Sequence, residues 1–262
     1  MLSDMHSTDL RTMMFFLIAY AISWAAWITL FAQHLSPRVG VGFWLYLLAV
    51  LAPHGSAILM TTSEGGRTAL ATFYRRVFRR VPFRWGILAI SVPPLVYLTQ
   101  YAIAVSFDLP HDSFFHNPRR ALALLIFGQL AVVLGEEPGW RGFALPRLIE
   151  RLGPIVGTLI LGIAWASWHL PLFVVAGTPQ YGSPFTPFAV ELTAWSMIIT
   201  LVVESARGSV VAAMLFHASG NLCAFLMWEP RGWIFALGPW ILAATIASWV
   251  MQVRPTLTTS SS

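Results

Sequence analysis

Glu136 and Glu137 are two adjacent carboxylates that follow Ala121–Leu134, a run of almost wholly apolar residues. Arg141 stands four residues after Glu137, so a helix would place the two side chains on one face as an ion pair. Helical geometry turns Glu136 by about 100° from its neighbour and leaves it without that partner. Because a charge at the centre of an apolar helix costs about 2.5–3.5 kcal/mol on insertion scales, we expect both carboxylates to be paired, hydrated or used in chemistry.

Two later apolar segments carry a histidine together with a second functional side chain one helical turn away. Trp165 precedes His169 by four residues, and Asn221 follows His217 by four residues with small residues between them. Small residues allow helices to approach closely, and polar side chains then meet partners across the interface. We therefore expect these groups to face one another inside a helix bundle.

Hydrolysis is the chemistry that such a set of side chains could perform. A buried carboxylate can act as general base toward water, and a neighbouring histidine can orient that water and transfer its proton. A second imidazole with an amide N–H can stabilise an oxyanion, where removing one donor costs about 10²–10³ in rate. The sequence contains no G-x-S-x-G, no HExxH and no Gly-Asp pair in a span, which argues against serine, zinc and aspartyl intramembrane proteases.

Structural roles remain open for every one of these groups. Intramembrane histidines are often hydrogen-bonded packing residues, Asn221 could bridge two helices, and the Glu137–Arg141 pair is more typical of structure than of chemistry. Packing is the main role expected for tryptophan. The further residues that we expect to line a cavity are Trp165, Trp140, His54 and Glu191.

Two other functions are compatible with the same residues. A metal hydrolase could use Glu136, His169 and His217 as zinc ligands, since two histidines and a carboxylate with an open position form a known arrangement. A non-catalytic membrane protein, either an immunity or binding scaffold or a transporter with a proton relay, would also carry intramembrane acids and histidines. For the hydrolase in which a carboxylate and a histidine activate water, we expect no metal and no other cofactor.

Composition indicates a protein that is solvated by lipid. The 262 residues are 57% hydrophobic and 10% charged, with a mean hydropathy of +0.69, whereas soluble domains carry about 25% charged residues. Cys223 is the single cysteine, which excludes an intramolecular disulfide and a multi-cysteine metal site. The 16 arginines, with no lysine, cluster beside apolar segments, which indicates membrane topology and not a nucleic-acid surface.

The sequence predicts an all-α, polytopic membrane protein in one domain, residues 1–262, with the motif core at 134–221. Eight segments are near the 20 residues that a bilayer requires. They are Thr12–Phe31, Val41–Met60, Trp85–Phe107, Ala121–Leu134 with its continuation, Pro154–Ala176, Phe188–Val203, Val210–Trp228 and Trp233–Val253. Pro138 and Gly139 are expected to interrupt the fourth segment, freeing carbonyls and making room for water.

The connection Thr61–Arg84 carries six arginines with apolar residues at helical spacing between them. This pattern predicts an amphipathic helix in the cytoplasmic interface, with a solvated loop as the alternative. Placing it inside puts both termini in the cytoplasm and gives 12 arginines inside against 4 outside, in agreement with the positive-inside rule. We expect the cavity to open toward this cytoplasmic half. Arginine without lysine suggests a high-G+C prokaryote, and therefore a prokaryotic cell membrane.

The motifs resemble those of the CAAX protease and bacteriocin-processing (CPBP, or Abi) family of intramembrane glutamic endopeptidases. Order, spacing and placement on the fourth, fifth and seventh segments all fit. The family motifs E-E-x-x-x-R, F-x-x-x-H and H-x-x-x-N are matched by Glu136, Glu137 and Arg141, by Trp165 and His169, and by His217 and Asn221.

The resemblance implies a role for each matched residue. Glu136 with His169 would activate water, and the Glu137–Arg141 pair would support them. His217 and Asn221 would form the oxyanion site. The substrate would be a peptide or a protein, prenylated at its C-terminus in eukaryotic relatives and bacteriocin-like in prokaryotic ones.

Two departures from the family pattern concern access to the site more than its chemistry. Trp165 replaces the usual phenylalanine, a larger aromatic that could narrow the cleft. Pro138 and Gly139 stand where many relatives carry ordinary helix formers.

Overall fold

The structure is a computed structural model that describes residues 2–109, 122–227 and 233–253. The regular elements in these ranges are helices, as the sequence predicts. They are α1 (Leu2–Ala32), α2 (Gly40–Val77), α3 (Phe83–Ser106), α4 (Leu122–Glu137), a π-helix (Pro138–Ala144), α5 (Leu145–Trp168), a 3₁₀-helix (Leu170–Phe173), α6 (Phe185–Ser205), α7 (Val210–Leu226) and α8 (Trp233–Val253). Arg119, Arg120, Trp228, Arg231 and Arg254 lie outside the described residues.

Length and composition make the chain an integral membrane protein. Within the described residues, six stretches are long and apolar enough to cross a bilayer, and one of them, Gly128–Trp168, contains most of α4, the π-helix and α5. Helix α7 is apolar but shorter. Large apolar side chains point outward, with Leu17, Ile163 and Leu242 between 58% and 63% exposed, as expected of a surface that faces lipid.

Helix α2 contains the predicted amphipathic segment. The backbone leaves helical geometry at Gly65 and Gly66, where φ of Gly66 is +59°, and a second helical part then runs to Val77. Phe73 and Val77 are buried and Arg75 is exposed. The expected helix with one apolar and one basic face is therefore present, while its place at the cytoplasmic interface stays a prediction.

The α-helix is interrupted at Pro138, as expected, but helical structure does not end there. Helix α4 passes directly into the π-helix Pro138–Ala144, all of whose residues are buried. Proline removes one hydrogen bond and crowds the carbonyl of the preceding turn, and the wider π turn accommodates it without ending the helix. The consequence is a widened, continuous helix immediately after the two carboxylates.

Two glycines hold this segment tightly against α2. A Cβ added to Gly135 would lie 2.5 Å from the carbonyl oxygen of Val50, and one added to Gly139 would lie 2.6 Å from that of Pro53. Their spacing of four residues is the small-x-x-x-small pattern of close helix packing in membranes. The face of this segment that carries the glycines therefore packs against α2. The Glu136 and Glu137 side chains point to other neighbours, α5 and α7.

Helix α5 begins earlier and ends earlier than the fifth predicted segment. Its backbone breaks at Gly153, where φ is +76°, directly before the predicted start at Pro154. The short part before the break folds close to the rest, because a Cβ on Gly157 would lie 2.8 Å from the carbonyl of Leu148. The helix ends at Trp168 and leaves His169 at its C-terminus.

The loops gather at two ends of the bundle. At the first, which we call the arginine end, Arg79 Nη1 donates to the carbonyl of Arg207 over 2.7 Å, and Arg147 binds Glu64 at 2.6 and 2.8 Å. At the second, which we call the far end, the loops 33–39 and 174–184 meet, and Arg38 Nε donates to the carbonyl of Gly177 over 3.2 Å.

Candidate functional site

A cavity of about 900 Å³ lies between α2, α4, α5, α6, α7 and α8. The four residues that the sequence singled out for hydrolysis, Glu136, His169, His217 and Asn221, all line it. They come from α4, from the end of α5 and from α7, which are far apart in sequence. The structure therefore brings these four side chains to one hollow inside the bundle.

Glu136 is 3% exposed and is held by a tryptophan. The indole Nε1–H of Trp165 donates to its Oε2 over 2.7 Å. Since one oxygen is engaged in this way, Oε1 is left to accept from another group. Trp165 also lines the cavity, so its contribution exceeds the packing role that we expected.

Glu137 forms the centre of a second, fully buried cluster. Its Oε1 accepts from Arg141 Nη1 at 3.0 Å, the ion pair that the spacing predicts, and from His217 Nδ1 at 2.8 Å. Arg141 also lies 4.0 Å above the Trp165 ring and 3.4 Å from Ser196 Oγ. The carboxylate thus fixes the orientation of His217, a contact that sequence spacing did not reveal.

His169 is oriented by the backbone of its own helix. Its Nδ1 lies 2.8 Å from the carbonyl oxygen of Trp165. A carbonyl oxygen only accepts, so Nδ1 carries the proton and the neutral ring keeps Nε2 as an acceptor. The rings of Trp168 and Phe188 pack against the imidazole, with centroids 4.7 and 5.1 Å away.

Asn221 contacts a residue that sequence reasoning missed. Its Nδ2 donates to Oε1 of Gln129 over 2.7 Å, and both side chains line the cavity. A signal for Gln129 was available: it precedes Glu136 by seven residues in an otherwise apolar run, and that spacing puts both on one helix face. The predicted bridging role of Asn221 is therefore present, between α7 and α4.

The four residues expected to line a cavity divide into two groups. Trp165 and Glu191 line it, whereas Trp140 and His54 are not among its described lining residues. Trp140 points into the core, where its ring packs 5.7 Å from Trp168. His54 Nε2 lies 3.0 Å from the hydroxyl of Tyr74 in the amphipathic part of α2, because that face of α2 meets its own second part.

The cavity borders the far end of the bundle. Its lining includes Pro37, Arg38, Gly177, Gln180 and Pro184, and it includes none of the described loop residues of the arginine end. The expectation that it opens toward the cytoplasmic half stays a prediction. Glu136 and its neighbour in the pair are close in sequence to the residues of the arginine end. The Glu136 side chain nevertheless lines a cavity that the far-end loops also line.

A metal centre would need three or more ligands to converge. Among the described residues, no group of three or more His, Cys, Asp and Glu side chains is arranged to hold a metal ion. Cys223 is buried and unpaired.

The fold and the cavity define a polytopic helical membrane protein with an acidic, histidine-lined intramembrane cavity. Residues 118–223 match the model of the family described as "Type II CAAX prenyl endopeptidase Rce1-like". The chain is also similar to CAAX prenyl protease 2 of Methanococcus maripaludis, with 22% identity over 223 residues that cover 80% of this chain and 82% of the relative. Both similarities support a protease of the CAAX protease and bacteriocin-processing family that acts within the membrane.

Proposed function

We propose that the protein hydrolyses a peptide bond inside the membrane, with Glu136 as the general base. The observation that carries the proposal is the common cavity of Glu136, His169, His217 and Asn221. A carboxylate that is almost excluded from solvent is expected to be paired or to have a function. One oxygen of Glu136 accepts a hydrogen bond from a tryptophan N–H.

The attacking water would lie between Glu136 and His169. Oε1 of Glu136 takes its proton while Nε2 of His169 accepts its second hydrogen, and the water oxygen forms a bond to the carbonyl carbon. Collapse of the tetrahedral intermediate then breaks the C–N bond. The proton held by Glu136 passes to the leaving amine, so the carboxylate is restored for the next turnover.

His217 and Asn221 would stabilise the oxyanion of that intermediate. For this role both ring nitrogens of His217 must carry hydrogen, so that Nδ1–H donates to Glu137 and Nε2–H to the substrate oxygen. Asn221 uses one amide hydrogen on Gln129 and keeps the other. Glu137, itself anchored by Arg141, acts as the positioning residue for His217, in the manner of carboxylates that orient imidazoles in other active sites.

The cavity suits an extended, largely apolar peptide segment. Its volume lies within the roughly 300–1,000 Å³ of binding pockets for small molecules, and Trp27, Tyr46, Trp168, Phe173 and Phe188 supply aromatic surface. The name of the relative, CAAX prenyl protease 2, makes the C-terminal segment of a lipidated protein the first substrate class to test. A bacteriocin-like peptide is the second.

Substrate trapping tests the proposal directly. Glu136→Gln keeps the shape of the side chain but removes the base, so it should bind substrate without cleaving it. We expect the purified variant to retain peptides, identified by mass spectrometry, that wild-type protein releases as fragments. Glu204→Gln, the same change at an exposed position at the end of α6, is the matched control and should release fragments like wild type. Identical fragments from wild type and Glu136→Gln would contradict the proposal.

A further inference from the structure

A second, smaller cavity lies at the arginine end of the bundle and shares no described lining residue with the cavity of Glu136. Its volume is about 460 Å³. The side chains around it come from the first part of α1, from α2 on both sides of its break, and from the start of α5. They are Arg11, Glu64, Arg76, Pro146, Arg147 and Glu150. Three arginines thus face two carboxylates, so positive charge is in excess in this lining.

Two of the arginines are held in place by carbonyls of the π-helix. Arg147 Nη1 donates to the carbonyl of Phe143 over 2.9 Å, and its Nη2 binds Glu64. The guanidinium carbon of Arg147 also lies 3.7 Å from the centroid of the Phe143 ring. Arg76 donates to the carbonyl of Gly142 through Nη2. Because both guanidinium groups are fixed before any ligand arrives, less conformational entropy is lost on binding.

Arg76 is the arginine of this cavity that lacks a counter-ion. Among the residues that the structure describes, it forms no salt bridge. The charges of Arg147 and Arg79 repel that of Arg76, and the carboxylate that attracts it, Glu64, is already bound to Arg147. Arg76 is half-buried, and a charge that is partly removed from water is costly without a partner. A bound anion would supply that partner, since a guanidinium group can donate two parallel hydrogen bonds to a phosphate.

The cavity lies at the depth where the helices leave the apolar part of the membrane. Arg11 stands near the start of the first stretch that is apolar enough to cross a bilayer, Asp9–Ala32. Arg76 stands at the end of the second such stretch, Gly40–Val77. Further along α1, Leu17 is exposed and offers an apolar surface to acyl chains. Basic pockets between transmembrane helices at this depth are typical sites for anionic lipid headgroups.

We propose that the cavity between Arg11, Arg76 and Arg147 binds the phosphate of an anionic phospholipid, whose acyl chains lie along α1. Arg76 supplies the main hydrogen bonds to the phosphate oxygens. A zwitterionic lipid carries the same phosphate, but it would bring a quaternary ammonium group next to the arginines, so the site prefers an anionic headgroup. The bound phosphate joins α1, α2 and α5, and the binding does not depend on peptidase activity.

Native mass spectrometry of the purified, delipidated protein in detergent tests this preference. The probes are dioleoylphosphatidylglycerol and dioleoylphosphatidylcholine at equal concentrations. Wild type should bind the phosphatidylglycerol about fivefold more than the phosphatidylcholine, the factor expected from one arginine near a headgroup, and Arg76→Gln should bring the ratio close to one. Arg75→Gln removes the same charge from an exposed neighbour that does not line the cavity, and it should keep the wild-type ratio.

Arg11→Gln is the second variant, because Arg76→Gln also loses the bond to the carbonyl of Gly142 and could unfold. It should lower the ratio in the same way, with Tm confirming that the protein is folded. A wild-type ratio near one, or an unchanged ratio in both variants, would overturn the proposal. An equal fall in Arg75→Gln would also overturn it, since the preference would then reflect general charge attraction.

Inorganic phosphate distinguishes a lipid site from a site for soluble phosphate. Phosphatidylglycerol should raise the Tm of wild type and leave that of Arg76→Gln unchanged, because a ligand that binds the folded state stabilises it. If inorganic phosphate raises the Tm of wild type and phosphatidylglycerol does not, the ligand is a soluble phosphate and the lipid proposal is overturned.

Discussion

The indole N–H of Trp165 on α5 donates a 2.7 Å hydrogen bond to Oε2 of Glu136 on α4. Phenylalanine, the usual residue at this position in the family motif, has no such donor. The bond connects two helices and fixes which oxygen of the carboxylate is left for water. In this chain the tryptophan therefore positions the proposed general base, besides filling space in the cavity wall.

Trp165→Phe should lower kcat with little change in KM. The substitution keeps an aromatic ring but removes a hydrogen bond to a charged group, which contributes about 1.5–3 kcal/mol, so kcat should fall about tenfold to a hundredfold. Steady-state kinetics on one peptide measure both constants. Trp24→Phe removes an indole bond to the carbonyl of Trp168 (2.9 Å) and should leave kcat unchanged. An unaltered kcat in Trp165→Phe would mean that the indole only packs.

Glu137→Gln should lower both stability and activity. The change leaves Arg141 without its buried partner, which costs about 3–5 kcal/mol for pairs of this kind, and it loosens His217. Thermal unfolding in detergent should show a clearly lower Tm, and the folded fraction should cleave more slowly. Arg147→Gln, which breaks the partly exposed pair with Glu64, should cost only about 0–1 kcal/mol. A normal Tm with full loss of cleavage would show that the two carboxylates have been assigned the wrong way round.

The close approach of α4 and the π-helix to α2 predicts a glycine effect. Gly139→Ala and Gly135→Ala would place a methyl group within 2.6 Å of a carbonyl oxygen of α2, so the helices must separate and Tm should fall by several degrees. Gly128→Ala, whose Cβ would meet nothing within 4 Å, is the matched control. It should keep or raise Tm, because alanine is the better helix former. Equal Tm values for Gly128→Ala and Gly139→Ala would contradict the packing described.

Chelation separates the metal-free mechanism from the zinc alternative. Incubation with EDTA and 1,10-phenanthroline should leave cleavage by the purified protein unchanged, and elemental analysis should find zinc well below one ion per chain. Loss of activity on chelation, with recovery on adding Zn²⁺, would support a hydrolase that uses Glu136, His169 and His217 as ligands.

Local spacing predicted those parts of the site that lie on one helix. Glu137 and Arg141 pair because one turn separates them, and a helix fixes that relation whatever surrounds it. The fold class followed from composition, since so apolar a chain must bury its surface in lipid. The shared cavity of Glu136, His169, His217 and Asn221 was expected from their polarity within apolar segments and from the family motifs together.

Contacts between helices were not predictable in the same way. Spacing says which side chains share a face, but the rotation of each helix decides which neighbour that face meets. The bonds Trp165–Glu136, His217–Glu137 and Asn221–Gln129 all depend on such rotations. The π-helix was missed because proline was expected to break the helix, whereas a wider turn accommodates it.

The loops that line the cavity were not predictable for a related reason. Sequence position put Glu136 near the arginine-rich end of its helix, and the opening was assigned to that end. Any element that packs around a cavity can line it, however, and here the loop residues at 37–38 and 177–184 line it from the far end of the bundle.

Cleavage by purified Glu136→Gln is the most direct measurement of the central claim. Wild type, Glu136→Gln and Glu204→Gln are compared on one peptide in detergent, with Tm confirming that all three are folded. Glu136→Gln should keep its Tm and lose about 10²–10⁴-fold in kcat, the factor that a general base contributes, while Glu204→Gln should cleave like wild type. A folded Glu136→Gln that cleaves at the wild-type rate would contradict it.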